Sequence, residues 1–226
     1  METWRLLRDG PNGPGTPAWN MAVDESLLRL ATGPVLRLYE WSVPAVSLGY
    51  FQPAAVAPAG RPFVRRYTGG GLVDHARDVT YTVAAPRAHP LGTLSTAESY
   101  SRLHEAVAAA LQDIGLEAVL SPVCDAGDNA ACFQKAVKFD VLHQGKKVAG
   151  AAQRRTRSGL LQQGSILLPD PALNSTLRAH LPAAFARTLG FQIAAPHPGQ
   201  LTPAEIALAQ ELERDRYATE AWNRQQ

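Results

Sequence analysis

The chain has 226 residues, 46% of them hydrophobic, and a formal net charge of +2 at pH 7. A chain of this size can bury a substantial core as one domain. So small a charge, with no basic helix or aromatic-interleaved basic stripe, argues against a nucleic-acid binder. No apolar run reaches the roughly 20 residues that cross a bilayer, and the opening Met1-Glu2-Thr3-Trp4-Arg5 lacks the apolar stretch of a signal peptide, so the cytoplasm is the expected compartment. Two cysteines, Cys124 and Cys132, are too sparse for a disulfide framework and read as free thiols. The six histidines show no close pairing with each other or with cysteine, and no metal site is expected.

In chain order, Gly10 to Pro17 is rich in glycine and proline and reads as an irregular loop. A helix is predicted from about Asn20 to Leu30, with Asn20 as N-cap and Met21, Leu27, Leu28 and Leu30 on its apolar face. Val35 to Trp41, Ala45 to Tyr50, Pro62 to Tyr67 and Val79 to Ala84 are short runs punctuated by proline, glycine or charge, which suits a mixed or antiparallel sheet. Leu103, Val107, Leu111 and Ile114 recur at three- and four-residue steps and predict a helix over Thr96 to Ile114, with Gly115 at the left-handed terminal position. A loop from Ser121 to Ala131 precedes strands near Lys138 to Leu142, Lys147 to Gln153 and Gly159 to Leu167, after which helices return. Thr202-Pro203-Ala204-Glu205 is a capping-box start with proline at the first position, and the last helix is expected to reach about Trp222. The expectation is an α+β domain spanning 1–226, a mixed and largely antiparallel sheet flanked by helices, with 170–226 as a helical C-terminal extension.

Two segments carry the chemistry. In the first, Arg65 and Arg66 precede Tyr67-Thr68-Gly69-Gly70-Gly71, followed by Leu72-Val73-Asp74-His75. Glycines let backbone N–H groups approach a ligand and form an anion-binding concavity, to which Arg65 and Arg66 would add charge for an acyl or phosphoryl group. The plainer reading is a glycine-rich turn with arginines on its solvated side. In the second, Gly145-Lys146-Lys147 leads into Ala149-Gly150-Ala151-Ala152, and Gly159 to Leu168 completes a hairpin. Small residues from Ala149 to Ala152 leave room for a ligand beside the strand. Lys147 either reaches into that space or simply flanks a turn. Arg154, Arg155 and Arg157 either steer an acidic protein partner or mark a solvated strand end.

Taken together these segments resemble the lipoate-protein ligase and octanoyltransferase family, related to biotin-protein ligases, and the resemblance covers most of the chain. Trp4-Arg5-Leu6-Leu7 and Asn20 to Glu25 look like the family's opening strand and helix; Leu36 to Trp41 and Val46 to Gln52 look like its next two strands. The resemblance implies a biotin/lipoate protein ligase-like fold. It implies a substrate cradle from Arg65 to His75 with Thr68, Gly69, Gly70, Gly71 and the following Thr80-Tyr81-Thr82, and a functional lysine at Lys147. Ala149, Gly150 and Ala151 would complete the substrate site, and Tyr39, Leu72, Val73, Tyr81 and Val148 are candidates for an apolar acyl tunnel. His75, at the motif histidine, is either catalytic or a hydrogen-bonded structural residue.

Ala131-Cys132-Phe133 resembles the Cys-Phe pair of one branch of octanoyltransferases and amidotransferases, which makes Cys132 the candidate nucleophile; a buried small residue is the plainer reading. In that branch a cysteine takes an octanoyl or lipoyl group as a thioester and a lysine amine resolves it, with Lys147 lowering the thiol pKa and moving protons. Backbone N–H groups of Gly69 to Gly71, or near Ala149 to Ala151, would stabilise the oxyanion. The implied donor is acyl carrier protein. The implied acceptors are lipoyl-domain proteins such as the glycine cleavage system H protein and oxoacid dehydrogenase E2. No cofactor and no metal are needed, and a monomer is expected. Two alternatives stand beside this reading: an ATP- and Mg-dependent ligase acting on free lipoate or octanoate through an adenylate, and a non-catalytic binder of lipoyl domains or acyl carrier protein. Two departures from the family pattern stand out: Gln163-Gly164-Ser165 replaces a His-Gly-Ser or His-Gly-Thr, and Lys135 to Lys138 replaces the Pro-Ser that often follows the cysteine loop.

Overall fold

The computed structural model describes residues 2–8, 13–123, 136–193 and 200–225. Strand β1 (Thr3–Leu7) leads to helix α1 (Pro17–Leu30), and β2 (Val35–Tyr39), β3 (Val46–Leu48), β4 (Phe63–Arg65), β5 (Val73–Asp74) and β6 (Val79–Pro86) follow. Two helices come next, α2 (Pro90–Thr93) and α3 (Thr96–Asp113), then β7 (Val119–Leu120), β8 (Val141–His143), β9 (Lys146–Arg155) and β10 (Gly159–Ile166). The chain continues through α4 (Asn174–Leu189), β11 (Gln192–Ile193), α5 (Pro203–Leu212) and α6 (Glu220–Asn223). No helix among the described residues is long and apolar enough to cross a membrane.

The main sheet has eight strands in the order β11-β1-β2-β6-β10-β9-β8-β7, parallel only at β11/β1 and β1/β2. The expected strands do not form one sheet: β3 pairs with β4 in parallel and with β5 antiparallel in a separate three-stranded sheet. Each face of the main sheet buries its own core. On one, Leu36, Leu38, Tyr81 and Val83 meet Leu103, Val107 and Leu111 of α3 and Leu181 and Phe185 of α4. On the other, Val35, Tyr39 and Leu161 meet Met21, Leu27 and Leu28 of α1, which in turn packs on α5. Enclosed by sheet and helix, α1 is buried on all sides from Asn20 to Leu28.

Helix α1 begins earlier than predicted. Its cap is Thr16, whose Oγ1 accepts the Trp19 N–H at 3.0 Å, with Pro17 at the first position. Asn20 lies inside the helix, where its side chain donates to the Glu40 carbonyl (2.9 Å) and accepts from Arg37 (2.7 Å). Helix α3 follows the apolar spacing read from sequence, and it opens on a Ser95–Glu98 capping box. The last predicted helix is broken: α5 starts on the Thr202–Glu205 capping box, widens into a π-turn over Glu213–Tyr217, and stops before Thr219, which caps α6 through the Trp222 N–H. Residues 170–225 also add the edge strand β11, so they are not purely helical. The predicted strand from Lys138 starts only at Val141, because Phe139 turns the backbone with φ of 73°.

Candidate active site

Backbone register places the site. Tyr39 on β2 pairs with Thr80 on β6, Thr80 with Ser165 on β10, and Ser165 with Gly150 on β9. These four residues form a row across the α1 face of the sheet, spanning three strand spacings, or about 14 Å. Over this row the small sheet contributes Ser47, Arg66, Val73 and His75, and α1 contributes Met21. The enclosed cleft holds about 450 Å³ including its open mouth, and its accessible lining is mainly apolar. A concave, mainly apolar lining with a few polar groups is the usual character of a small-ligand site.

Lys147 stands at the β9 end. The β8–β9 hairpin closes through Gln144 and Gly145, both at positive φ (48° and 74°), a type I′ arrangement that matches strand twist. A bulge follows: Leu142 faces Lys147 while Val141 faces Ala149, leaving Val148 as the extra residue. Bulges re-aim side chains, and here the lysine is brought over Gly150, where a Cβ would meet Lys147 Cε at 2.6 Å and Nζ at 2.8 Å. The missing side chain at Gly150 is the lysine's berth. Lys147 Nζ pairs with Asp140 Oδ2 at 2.7 Å, the two side chains being 7% and 0% exposed. Gly150 and Ala151 line the cleft, whereas Ala149 faces the opposite core. The Ala151 N–H donates to the Tyr100 hydroxyl (3.0 Å), which removes it from the expected set of oxyanion donors.

Within the glycine motif the structure corrects the role of Arg65. Its side chain is fully buried, and its guanidinium donates to the carbonyls of Gly49, Tyr50, Gln52, Trp222, Asn223 and Gln225. It is a clasp between the β3 turn and the C-terminal segment, away from the cleft. Arg66 does line the cleft, but it too serves the backbone, donating to the carbonyls of Ser47 (2.9 Å), Gly69 and Gly71 (2.8 Å each) and to Ser47 Oγ (2.7 Å). Neither arginine lies on a solvated side. Gly70, at φ of 83°, presses its carbonyl onto Gly49, where a Cβ would sit 1.8 Å from that oxygen. The glycines thus let the loop fold over Arg66 and against β3.

His75 is stacked on Trp41 at 4.0 Å between ring centroids and lies on the cleft wall. His75 Nδ1 donates to Asp78 Oδ2 (2.8 Å), and its Nε2 lies 2.7 Å from Ser47 Oγ, which also accepts from Arg66. Thr80 and Ser165 donate to the same carboxylate oxygen. Thr68 is buried and donates to Gln163 Oε1 (2.7 Å), while Gln163 Nε2 donates to Asp24 Oδ2 (2.7 Å). Gln163 therefore bridges an acceptor and a donor, which an uncharged amide does without titrating. Asp24 also accepts from Arg37, Tyr39 and Thr82. Burial, reinforced by this carboxylate, holds the Tyr39 phenol well above its usual pKa.

Tyr81 is a second correction. Side chains alternate along β6, so Thr80 faces the cleft while Tyr81 points into the α3–α4 core, its ring over Gly164 and its hydroxyl accepting from Gln162. Of the other tunnel candidates, Tyr39 and Val73 line the cleft, Val148 packs in the same core as Tyr81, and Leu72 is outside the lining. Arg155 is tied to α2 and α3 through the Gly92 carbonyl and Ser99, and is not part of a free basic patch. Cys124 and Cys132 lie outside the described residues. Asp140, Tyr100, Asp78 and Asp24 were not singled out from sequence. Asp140 and Asp78 have near partners in Lys147 and His75, but each site is completed by bonds to residues 40, 51, 87 and 139 positions away, which no local pattern shows.

A mainly apolar cleft across a mixed sheet, with a buried lysine side chain at one end, has the character of the small-ligand site of an enzyme's catalytic domain. The chain belongs to the lipoyl protein ligase A/B catalytic domain family, which matches residues 16–182. It is 34% identical to the octanoyltransferase LipM of Kyrpidia tusciae over 99% of both chains. With the octanoyltransferase LipM of Moorella thermoacetica it shares 41% identity over 74% of this chain and 66% of that one. Among solved structures, protein Ta0514 of T. acidophilum with bound lipoic acid superposes with a TM-score of 0.76 at 25% identity, over 99% and 98% of the two chains. A lipoate-protein ligase A bound with ATP shares the fold, with a TM-score of 0.78 at 24% identity over 99% and 98%.

Proposed function

We propose that this chain transfers an octanoyl group from acyl carrier protein to a lysine of a lipoyl domain, without ATP, through a thioester on Cys132. The observation that carries the reading is the cleft itself, a trench with Lys147 berthed over Gly150 at one end. Sequence likeness to octanoyltransferases along nearly the whole chain supports it. Tyr39, Val73 and Met21 would contact the chain's methylenes, each buried CH₂ adding about 0.8 kcal/mol.

In the first half-reaction the Cys132 thiolate attacks the thioester carbonyl, the carbon–sulfur bond to the carrier breaks, and the carrier thiol leaves with the proton the cysteine gave up. In the second, the acceptor lysine's neutral amine attacks the Cys132 thioester, an amide bond forms, and the cysteine sulfur departs as thiolate while the amine's proton is removed. Lys147 holds and returns the proton in both steps. Dividing the transfer this way replaces one difficult step with two easier ones. The acceptor would be a lipoyl domain such as that of the H protein or of an oxoacid dehydrogenase E2.

The test is to mix the purified chain with octanoyl acyl carrier protein and an apo lipoyl domain, omit ATP, and follow the mass of the acceptor. Gain of one octanoyl group supports the proposal. Modification that appears only with ATP and free octanoate or lipoate overturns it.

A further inference from the structure

Behind Lys147 lies a built polar assembly that no motif announces. Asp140 is fully buried, and its carboxylate takes three donors: Lys147 Nζ (2.7 Å) and the Val137 N–H (2.8 Å) on Oδ2, and the Tyr100 hydroxyl (2.6 Å) on Oδ1. Tyr100, from α3, accepts the Ala151 N–H at 3.0 Å, so one hydroxyl joins the carboxylate to the cleft strand β9. One turn further along α3, buried His104 donates from Nδ1 to the Phe139 carbonyl at 2.6 Å. Phe139 itself sits at φ of 73°, a left-handed conformation costing a non-glycine residue about 1 to 2 kcal/mol. Its N–H is fixed by the Ser121 carbonyl (2.8 Å). Strain of this sort persists where surrounding contacts over-determine it and concentrates at functional sites. Here its effect is to turn Asp140 inward, under the lysine.

We propose that Asp140, seconded by Tyr100, is the positioning residue of the transfer reaction: it holds Lys147 as an ammonium ion over Gly150, aimed at the reacting carbonyl. The inference rests on the octanoyl-transfer reading for its consequence, but the ion pair is a property of the resting protein. Titratable groups packed about this ion pair include Tyr100 and Tyr81, with His104 behind Phe139. Burial and the adjacent Asp140 keep Tyr100 protonated and donating, and burial keeps His104 neutral. The carboxylate in contact with the lysine is that of Asp140. A buried lysine without such a partner loses its proton more readily.

The experiment reads Lys147 directly. The intact protein is treated with an amine-acylating reagent at about pH 8, and the modification rate of Lys147 relative to exposed Lys146 is taken from peptide masses, for wild type, Asp140→Asn, Asp140→Glu and Tyr100→Phe. Losing the carboxylate should raise the neutral-amine fraction, so Lys147 is labelled about tenfold faster in Asp140→Asn, one pKa unit, and Asp140→Glu falls between it and wild type. In turnover assays kcat should drop about 100-fold in Asp140→Asn with the KM for acyl donor little changed, the signature of lost positioning. Should Asp140→Asn not fold, Tyr100→Phe carries the test with a smaller change in the same direction. Unchanged Lys147 labelling, or an unchanged kcat, in Asp140→Asn or its substitute overturns the proposal. A wild type inactive in octanoyl transfer would instead refute the functional reading, while the labelling result would still decide the role of Asp140.

Discussion

The two signature segments of this chain treat their cations in opposite ways. In the glycine motif, Arg65 and Arg66 are committed to backbone carbonyls, six for Arg65 and three for Arg66, and the result is a rigid wall and a clasp on the C-terminal segment. In the β9 hairpin, Lys147 is held by a carboxylate and by space left at Gly150. Arginine's fixed fork suits many-point bonding to carbonyls, whereas lysine is a compact charge that can give up a proton. The first segment shapes the cleft. The second sets a lysine into it.

That contrast can be broken or sharpened by substitution. The largest effect is expected for Arg65→Met, which leaves several buried carbonyls unsatisfied and should lower unfolding stability by about 4 kcal/mol in a denaturant titration. The folded fraction should turn over at the wild-type rate, and a loss of kcat at equal folded concentration would place Arg65 in the chemistry. Gly150→Ala should behave in reverse. Its methyl occupies the lysine's berth, so kcat should fall about 100-fold, an effect near 2.7 kcal/mol, while thermal stability changes little. Activity near wild type would show that Lys147 does not work from this position.

A third prediction concerns acid. Burial lowers the pKa of His104 to about 4 from 6.5. The unfolded chain therefore binds more protons than the folded one between these values, and stability is fully present above pH 6.5 and lost as pH falls toward 4. At about 1.4 kcal/mol per pH unit, roughly 2 kcal/mol disappears by about pH 5. Chemical denaturation across this range should show the slope in wild type and a flatter one in His104→Asn. The smallest effect is expected for Gln163→His. A neutral imidazole can give one proton to Asp24 and accept one from Thr68, so octanoyl transfer should stay within about threefold of wild type. A large loss would mean that the amide has a function of its own.

Much of the architecture is legible in the sequence because it is local. The three- and four-residue spacing of Leu103, Val107 and Leu111 gives α3, and Thr202-Pro203-Ala204-Glu205 gives the start of α5. Thr16-Pro17 carries the same signal, and applied there it corrects the start of α1. The family resemblance pointed to Arg66, His75 and Lys147, which line one cleft, and to Gly69, Gly70 and Gly71, which lie outside its lining. What stayed hidden depends on distant pairing. Nothing near Arg65 tells that Trp222, Asn223 and Gln225 will return to receive it. Tyr81 read as a cleft residue because its motif lies there, yet strand alternation assigns that face to Thr80 and Thr82. Asp140 and Tyr100 meet only once α3 is laid beside β9.

The account turns on a thioester at Cys132 served by Lys147. The most direct measurement is intact-protein mass after brief mixing with octanoyl acyl carrier protein in the absence of ATP and acceptor, for wild type and Cys132→Ser. The account predicts an octanoyl adduct on wild type alone, mapped to Cys132 and released by hydroxylamine. An unmodified wild type, or an adduct that persists in Cys132→Ser, would contradict it.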